Sequence, residues 1–287
     1  MNWLLLTILA VLSRATFGVA TKVLSNRIKV SAMSQAVLLT GSATILTLLI
    51  SPFVGGLSFH GVLSHWLLAL VMVVSQAFGN ILFFKGLGKL DASNTQVVFS
   101  SILIWGTLLS VTFLGSHFSL KQFAGIAILL VAVLLVQYQK NMKKFDTYAL
   151  YILFAAALFA VFQVTSAELA RTLSAGAYLL LAYLGSTLII GAIYLRKVST
   201  ELASLAQNFR NALITTLFAS STSLAYFAFS YYAYKVAPDR GVVVLLLTSQ
   251  VVFGVILAII FLKERANIPK KILAGALAVA AGLLIKS

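Results

Sequence analysis

Residues 113–136 read FLGSHFSLKQFAGIAILLVAVLLV, and residues 261–285 read FLKERANIPKKILAGALAVAAGLLI. Both segments contain FL followed by a second block, KQFAG in the first and KILAG in the second, with two extra residues between the blocks in the second. Just upstream, Trp105-Gly106 aligns with Phe253-Gly254. Ordered blocks at a nearly constant offset favour two copies of one unit over a chance likeness between apolar helices.

The composition predicts an integral membrane protein. Of 287 residues, 61% are hydrophobic and only 9% are charged, and the mean hydropathy is +1.04, whereas soluble domains are about a quarter charged. Dividing the length by roughly 25–30 residues per span and loop gives about ten spans. Continuous apolar runs without alternation indicate helices rather than a barrel. The predicted spans are Trp3–Leu24, Ser31–Ile50, His65–Phe84, Asn94–Leu114, Gln122–Val136, Tyr148–Ala170, Gly176–Leu195, Ala212–Tyr234, Gly241–Leu262 and Lys271–Ile285.

The repeat divides these spans into two units. We expect a first five-helix repeat over residues 1–139, a connecting loop over 140–147 and a second five-helix repeat over 148–287. An odd number of spans forces the second unit to enter the membrane the opposite way up. The predicted fold class is therefore an all-α, polytopic membrane protein with ten transmembrane helices in two inverted repeats, which is an architecture of secondary transporters.

Three stretches carry a family resemblance. The sequence FLKER at residues 261–265, followed by Gly275 and small residues to Gly282, resembles the closing "GER…G…G" stretch of EamA-type transporters in the drug/metabolite transporter superfamily. Residues 79–87 resemble the third span of that family, and residues 225–233 resemble its eighth. The resemblance implies a ten-helix transporter, often an exporter of amino acids or related metabolites.

The sequence departs from the family pattern at two places. Ser116-His117 stand where the second repeat has Glu264-Arg265, and Arg14 stands where the family usually has an aromatic or small residue. These departures leave the substrate open.

The distribution of basic residues indicates the membrane topology and not a nucleic-acid-binding function. The net charge of +15 comes from bases in the short gaps between apolar runs, so we expect no nucleic-acid partner, and the absence of cysteine excludes disulfides and thiol chemistry. Fourteen Lys and Arg fall on one side of the membrane and five on the other. Positive charge favours the cytoplasm, which predicts that both termini lie outside, whereas the family resemblance implies that they lie inside. The expected location is the cell membrane, specifically a bacterial inner membrane.

Arg14, halfway along the first span, is the first candidate site residue. A charge at mid-bilayer costs roughly 3 kcal/mol or more, so it usually faces a cavity or a partner. We expect its guanidinium to bind a substrate carboxylate with two hydrogen bonds. The alternative is an internal ion pair with Glu168. Glu168 is also a candidate for proton coupling, because a buried carboxylate can acquire a raised proton affinity.

Polar side chains at four-residue spacing on several spans predict a wet cavity. The amides and tyrosine are candidates for substrate contacts, and two aromatic side chains, Trp105 and Tyr226, are candidates for stacking on the substrate. Together with Arg14 the predicted substrate-binding residues are Gln76, Asn80, Gln96, Trp105, Tyr226 and Gln250.

The sequence favours transport over catalysis. His60, His65 and His117 lack metal-ligand spacing, no nucleophile, Walker or Rossmann motif is present, and no cofactor is expected.

We expect a secondary transporter, an exporter, of a small carboxylate-bearing metabolite such as an amino acid. Two alternatives are a carrier of phosphorylated or nucleotide-type metabolites and a non-transporting membrane scaffold. The partners are a small-molecule substrate and the lipid bilayer. A stripe of small residues (Ala274, Ala278, Gly282) leaves helix packing or a homodimer open.

Overall fold

A computed structural model describes residues 2–90, 95, 98–99, 101–115, 117, 119–137, 147–205, 209–262, 269, 273, 276–277, 280–281 and 284. In this part of the chain every regular element is helical and no strand is found. A 3₁₀ turn, Ser51–Phe53, follows the second helix. The helices are α1 Trp3–Arg27, α2 Ala32–Ile50, α3 Trp66–Leu87, α4 Ile102–Leu114, α5 Leu120–Gln137, α6 Thr147–Leu169, α7 Ala175–Ser204, α8 Phe209–Val236, α9 Arg240–Thr248 and α10 Gln250–Phe261.

Six of the described helices are long and apolar enough to cross a membrane. They are α1, α2 with its 3₁₀ turn, α3, α6, α7 and α8. The prediction of an all-helical, multi-pass membrane protein is confirmed. The predicted count of ten spans is not reached in the described part of the chain. The described parts of the fourth and fifth spans form shorter apolar helices, and the ninth span is divided in two. Most of the tenth span, with its small-residue stripe, lies outside the described residues.

Polar side chains fix where several helices begin. The Asn2 side chain accepts a hydrogen bond from the Leu4 amide, and the Ser31 and Ser174 hydroxyls cap α2 and α7 in the same way. Asp239 Oδ1 accepts from the Gly241 amide at 2.7 Å and caps α9. Such caps satisfy amides that lack a partner within the helix, so the short polar interruptions in the sequence become the helix starts.

The ninth span differs from its prediction as one helix over Gly241–Leu262. It is divided at Ser249 into α9 and α10. The Ser249 hydroxyl and amide both donate to the Leu246 carbonyl, at 2.6 and 3.0 Å. A serine hydroxyl that bonds back to the preceding turn competes with the helical pattern, so hydropathy alone could not reveal this interruption.

The main helix pairings join the two predicted halves. α1 packs along α8, α3 packs along α6, and α2 packs along α7. The α3–α6 contact is close because it contains Gly86, where an added Cβ would lie 2.9 Å from the Tyr148 carbonyl oxygen and still nearer to the Ile152 side chain. Four of these helices, α1, α3, α6 and α8, contribute side chains to the site described below.

We predict that Gly86→Ala destabilises the protein by about 2 kcal/mol, since overpacking a tight contact typically costs 1–3 kcal/mol. The matched control is Gly191→Ala on α7, where a Cβ would have no atom within 4 Å. Alanine there should leave stability unchanged or raise it, because alanine is the better helix former. Thermal unfolding of the purified protein in detergent measures both, and equal melting temperatures for the two variants would contradict the close packing of α3 on α6.

Candidate functional site

Arg14 lies at the middle of α1 with only 7% of its surface exposed. Four aromatic rings surround its guanidinium, and we call them the aromatic cage. The distances from Cζ to the ring centroids are 4.6 Å for Phe17, 5.0 Å for Phe159, 5.3 Å for Tyr226 and 5.7 Å for Phe99. A cation over an aromatic face is stabilised by the ring quadrupole, by about 2 kcal/mol when desolvated.

The cage is built from both halves of the chain. Phe17 comes from α1 and Phe99 precedes α4, whereas Phe159 and Tyr226 come from α6 and α8. Phe83 of α3 packs edge-on against Phe99 and Phe159 at 5.5 and 6.3 Å between ring centroids. These contacts fix the rings, so the position of the guanidinium depends on the packing of α1, α3, α6 and α8 together.

The guanidinium has no acidic partner among the described residues. The alternative pairing with Glu168 is wrong, because the Glu168 carboxylate binds Arg240 at 2.7 Å and Arg171 at 3.1 Å. Glu168 lies near the end of α6 and its side chain is 32% exposed, so solvent reaches it. Among the described residues the buried charge of Arg14 is therefore compensated by aromatic faces rather than by an anion.

Unpartnered amides lie on the helices that surround the cage. The Gln250 side chain is 3% exposed, and neither its Nε2 nor its Oε1 has a hydrogen-bond partner among the described residues. Gln163 Nε2 donates to the Tyr226 hydroxyl at 2.9 Å, but in the described part of the chain its Oε1 is unpartnered, as is Oε1 of Gln76. A buried polar atom without a partner costs about 1–3 kcal/mol. These amides therefore have unused capacity to bind a polar ligand.

A small cavity adjoins the guanidinium. Its volume is about 10 Å³, the room needed by one water molecule. Arg14, Phe17, Gly18, Phe83, Phe99 and Gln250 line it. A metabolite can enter this space only if the surrounding helices separate.

A larger, open cavity of about 610 Å³ lies at the end of α1. We call it the basic vestibule, because its lining includes Arg27 and Lys29, both exposed. The remaining lining residues are Ile28, Val30, Ser204, Leu205, Asn211 and Ala212. A concave surface lined by positive charge raises the local concentration of anions.

The structure brings together some of the predicted site residues and not others. Arg14, Tyr226 and Gln250 meet at the cage and its cavity. Gln76 and Asn80 are buried on α3. Trp105 is 41% exposed on α4 and does not line this cavity, while Gln96 lies outside the described residues.

Sequence reasoning missed Phe17, Phe99, Phe159 and Gln163. The last of these could have been found, because a glutamine in the middle of the sixth span is the same signal that selected Gln76. Phe17 lies three residues after Arg14 and therefore on the same helix face, but the 20 phenylalanines of the chain make such a spacing uninformative. In the described part of the chain no cluster of His, Asp and Glu could hold a metal ion.

Comparison with solved structures gives 28 matching chains. One is a crystal structure of a protein that is 15% identical and has a TM-score of 0.72, and the match covers 98% of this chain and 94% of the other. At this identity the likeness establishes the fold alone.

Comparison with curated proteins gives no match. Among protein families, residues 1–138 match the model of the EamA-like transporter family. This match confirms the predicted resemblance to EamA-type transporters over those residues.

Proposed function

We propose that the protein is a secondary transporter, working as an exporter, of a small carboxylate-bearing metabolite, with an amino acid as the leading substrate. The observation that carries this proposal is Arg14, a buried guanidinium in an aromatic cage with no acidic partner among the described residues. The family match over residues 1–138 supports transport as the activity. Catalysis has no comparable support.

A carboxylate substrate fits the chemistry of the cage. It would neutralise the guanidinium and accept two parallel N–H bonds from it, the geometry that makes arginine selective for planar anions. Gln163 and Gln250 offer free amide atoms to the bound substrate, and Gln76, Asn80 and Tyr226 add buried polar groups on α3 and α8. The basic vestibule, with Arg27 and Lys29, favours the approach of an anion.

The helix pairings support two inverted halves, residues 1–139 and 148–287. A pseudo-twofold axis that exchanges the halves would exchange α1 with α6, α2 with α7 and α3 with α8. The pairing of α1 with α8 then becomes the pairing of α6 with α3, and the pairing of α2 with α7 maps onto itself. All three pairings are the principal contacts between the halves. Alternating access would follow from rocking one half against the other about the cage.

Hydrogen bonds join the halves at both ends of α2, which are opposite ends of the bundle. At the first end, Glu201 Oε2 of α7 accepts from the Ser31 amide at 2.8 Å and from the Ser34 hydroxyl at 2.7 Å. At the other end, the Ser174 hydroxyl donates to the Gly56 carbonyl and accepts from the Ser58 amide, both at 2.9 Å. We call these two groups of hydrogen bonds the first latch (Glu201 with Ser31 and Ser34) and the second latch (Ser174 with Gly56 and Ser58). In alternating access one latch would open at a time.

We predict that Glu201→Ala opens the first latch. The chain has no cysteine, so Gly18→Cys places a single thiol in the Arg14 cavity. Loss of the charged acceptor should raise the rate of maleimide labelling at this thiol about tenfold, because bonds to a charged group contribute about 1.5–3 kcal/mol. Ser199→Ala, on the same helix and in an exposed position, is the control. An unchanged labelling rate in Glu201→Ala would contradict a gating role for this contact.

The transport proposal is tested by flux. The purified protein is reconstituted in proteoliposomes and assayed for counterflow with radiolabelled amino acids, monocarboxylates and phosphorylated metabolites. We expect saturable flux of a carboxylate. Flux of phosphorylated compounds alone would indicate a carrier of phosphorylated metabolites instead of carboxylates. Absence of flux with every compound would favour a membrane scaffold.

The remaining proposals concern location and assembly. We expect the protein in a bacterial inner membrane, as a monomer or as a homodimer through the tenth span. Cell fractionation tests the location, and the mass of the purified particle tests the assembly. A cytoplasm-specific reporter fused after Ser287 tests the orientation, on which the charge count and the family resemblance disagree.

A further inference from the structure

The fourth and ninth spans are interrupted at corresponding positions. The alignment of Trp105-Gly106 with Phe253-Gly254 is an offset of 148 residues, and the same offset places Ser101 opposite Ser249. The Ser101 amide donates to the Val98 carbonyl at 3.1 Å, and the Ser249 amide donates to the Leu246 carbonyl at 3.0 Å. Each serine forms a tight turn, and α4 and α10 begin directly after them.

Both interruptions flank the Arg14 cavity. Phe99, two residues before Ser101, lines this cavity, and so does Gln250, the first residue after Ser249. The repeat is not symmetric in chemistry, because Ile102 stands in the first half where Gln250 stands in the second. Only the second interruption therefore places an amide beside the guanidinium.

Two observations at this point indicate a ligand. The helix α10 begins at the cavity with no side-chain cap on its first turn, and the N-terminal end of a helix favours negative charge. Independently, the Gln250 side chain lines the cavity and is 3% exposed, and no residue that the structure describes forms a hydrogen bond with either of its amide atoms. A continuous ninth helix would have no N-terminus at this depth.

We infer that Gln250 and the N-terminal end of α10 form the second half of an anion site whose first half is Arg14. The substrate carboxylate lies between the Arg14 guanidinium and the Gln250 amide, which donates through Nε2. The inference rests on the proposed transport of a carboxylate. It adds that the interrupted ninth span makes the site selective for the anion over a neutral compound of the same shape.

The test compares each carboxylate with its own carboxamide. The probes are acetate, benzoate, L-leucine, L-phenylalanine and L-glutamate, each with the corresponding amide, and the Kd values come from the concentration dependence of thermal stabilisation. In the wild type we expect the best-binding carboxylate to bind at least tenfold more tightly than its amide. Gln250→Leu should reduce this preference about tenfold, whereas loss of packing alone would weaken both probes equally and leave their ratio unchanged.

Two further variants keep the outcome decisive. Gln250→Glu, which conserves shape, should abolish the preference by placing a competing carboxylate beside Arg14. A preference that survives in this variant would overturn the placement of Gln250 beside the bound carboxylate even if Gln250→Leu does not fold. Thr112→Val, a polar-to-apolar change at an exposed position of α4, should leave the preference unchanged. If the wild type prefers no carboxylate, the proposed function fails. If it does and both Gln250 variants retain the preference, only the role of Gln250 and α10 is overturned.

Discussion

Arg14→Gln is expected to lower kcat/KM for the carboxylate substrate by at least about a hundredfold in proteoliposomes. The variant loses two charge-assisted hydrogen bonds, each of which contributes about 1.5–3 kcal/mol, and each 1.4 kcal/mol is a factor of ten. Arg14→Lys keeps the charge but loses the planar pair of donors, so its kcat/KM for the carboxylate should lie between those of the wild type and Arg14→Gln.

The stability of Arg14→Gln separates a substrate-binding role from a structural one. Arg14 is buried, and no acidic residue in the described part of the chain pairs with it. Burying a charge without an anionic partner costs several kcal/mol, which is more than the stabilisation of about 2 kcal/mol that the aromatic cage provides. Removing the charge should therefore leave the melting temperature of the substrate-free protein unchanged or raise it, as is common for residues kept for function at the expense of stability. If Arg14→Gln transports like the wild type, Arg14 does not bind the substrate carboxylate. If the variant unfolds, the role of Arg14 is mainly structural.

The fold was predictable to the extent that hydropathy determines it. Long apolar runs identified the spans that became α1, α2, α3, α6, α7 and α8, since a bilayer allows few alternatives to a helix. Hydropathy carries no information on local hydrogen bonding, so the interruption at Ser249 was missed. The seventh span was predicted to end at Leu195, and α7 is kinked beside that residue, because Tyr194 has non-helical backbone angles (φ −119°, ψ 25°). A second helical segment then continues to Ser204.

The site was predictable only where a residue is costly in lipid. Arg14 and Gln250 could be selected because a charge or an amide in an apolar span is energetically costly and therefore indicates a functional site. Their aromatic neighbours carry no such cost, so Phe159 is indistinguishable in sequence from Phe154 on the same helix. In the structure, Phe159 is 4% exposed beneath Arg14 and Phe154 is 59% exposed on the outer surface. Which aromatic residue faces the site is a property of helix packing.

The buried Phe159 should contribute much more to stability than the exposed Phe154. Phe159→Ala is expected to lower the free energy of unfolding by about 3–5 kcal/mol, the usual cost of removing a buried ring. The ring is shared by two edge-on aromatic partners, Phe83 and Phe99, and by the guanidinium. It also lies where a Cβ added at Gly79 would approach to 3.3 Å, so its removal leaves a gap between α3 and α6.

Phe154→Ala, five residues earlier on α6, is the matched control and should change the free energy of unfolding by less than about 1 kcal/mol, since surface substitutions are usually nearly neutral. Reversible unfolding in mixed micelles measures both variants. Phe159→Leu, which refills part of the volume, should recover most of the stability but not the cation–π contact with Arg14. If Phe159→Leu restores stability while substrate affinity stays low, the ring holds the guanidinium in position for its anion. Equal losses for Phe154→Ala and Phe159→Ala would contradict the packing of α6 on α3 and, with it, the cage.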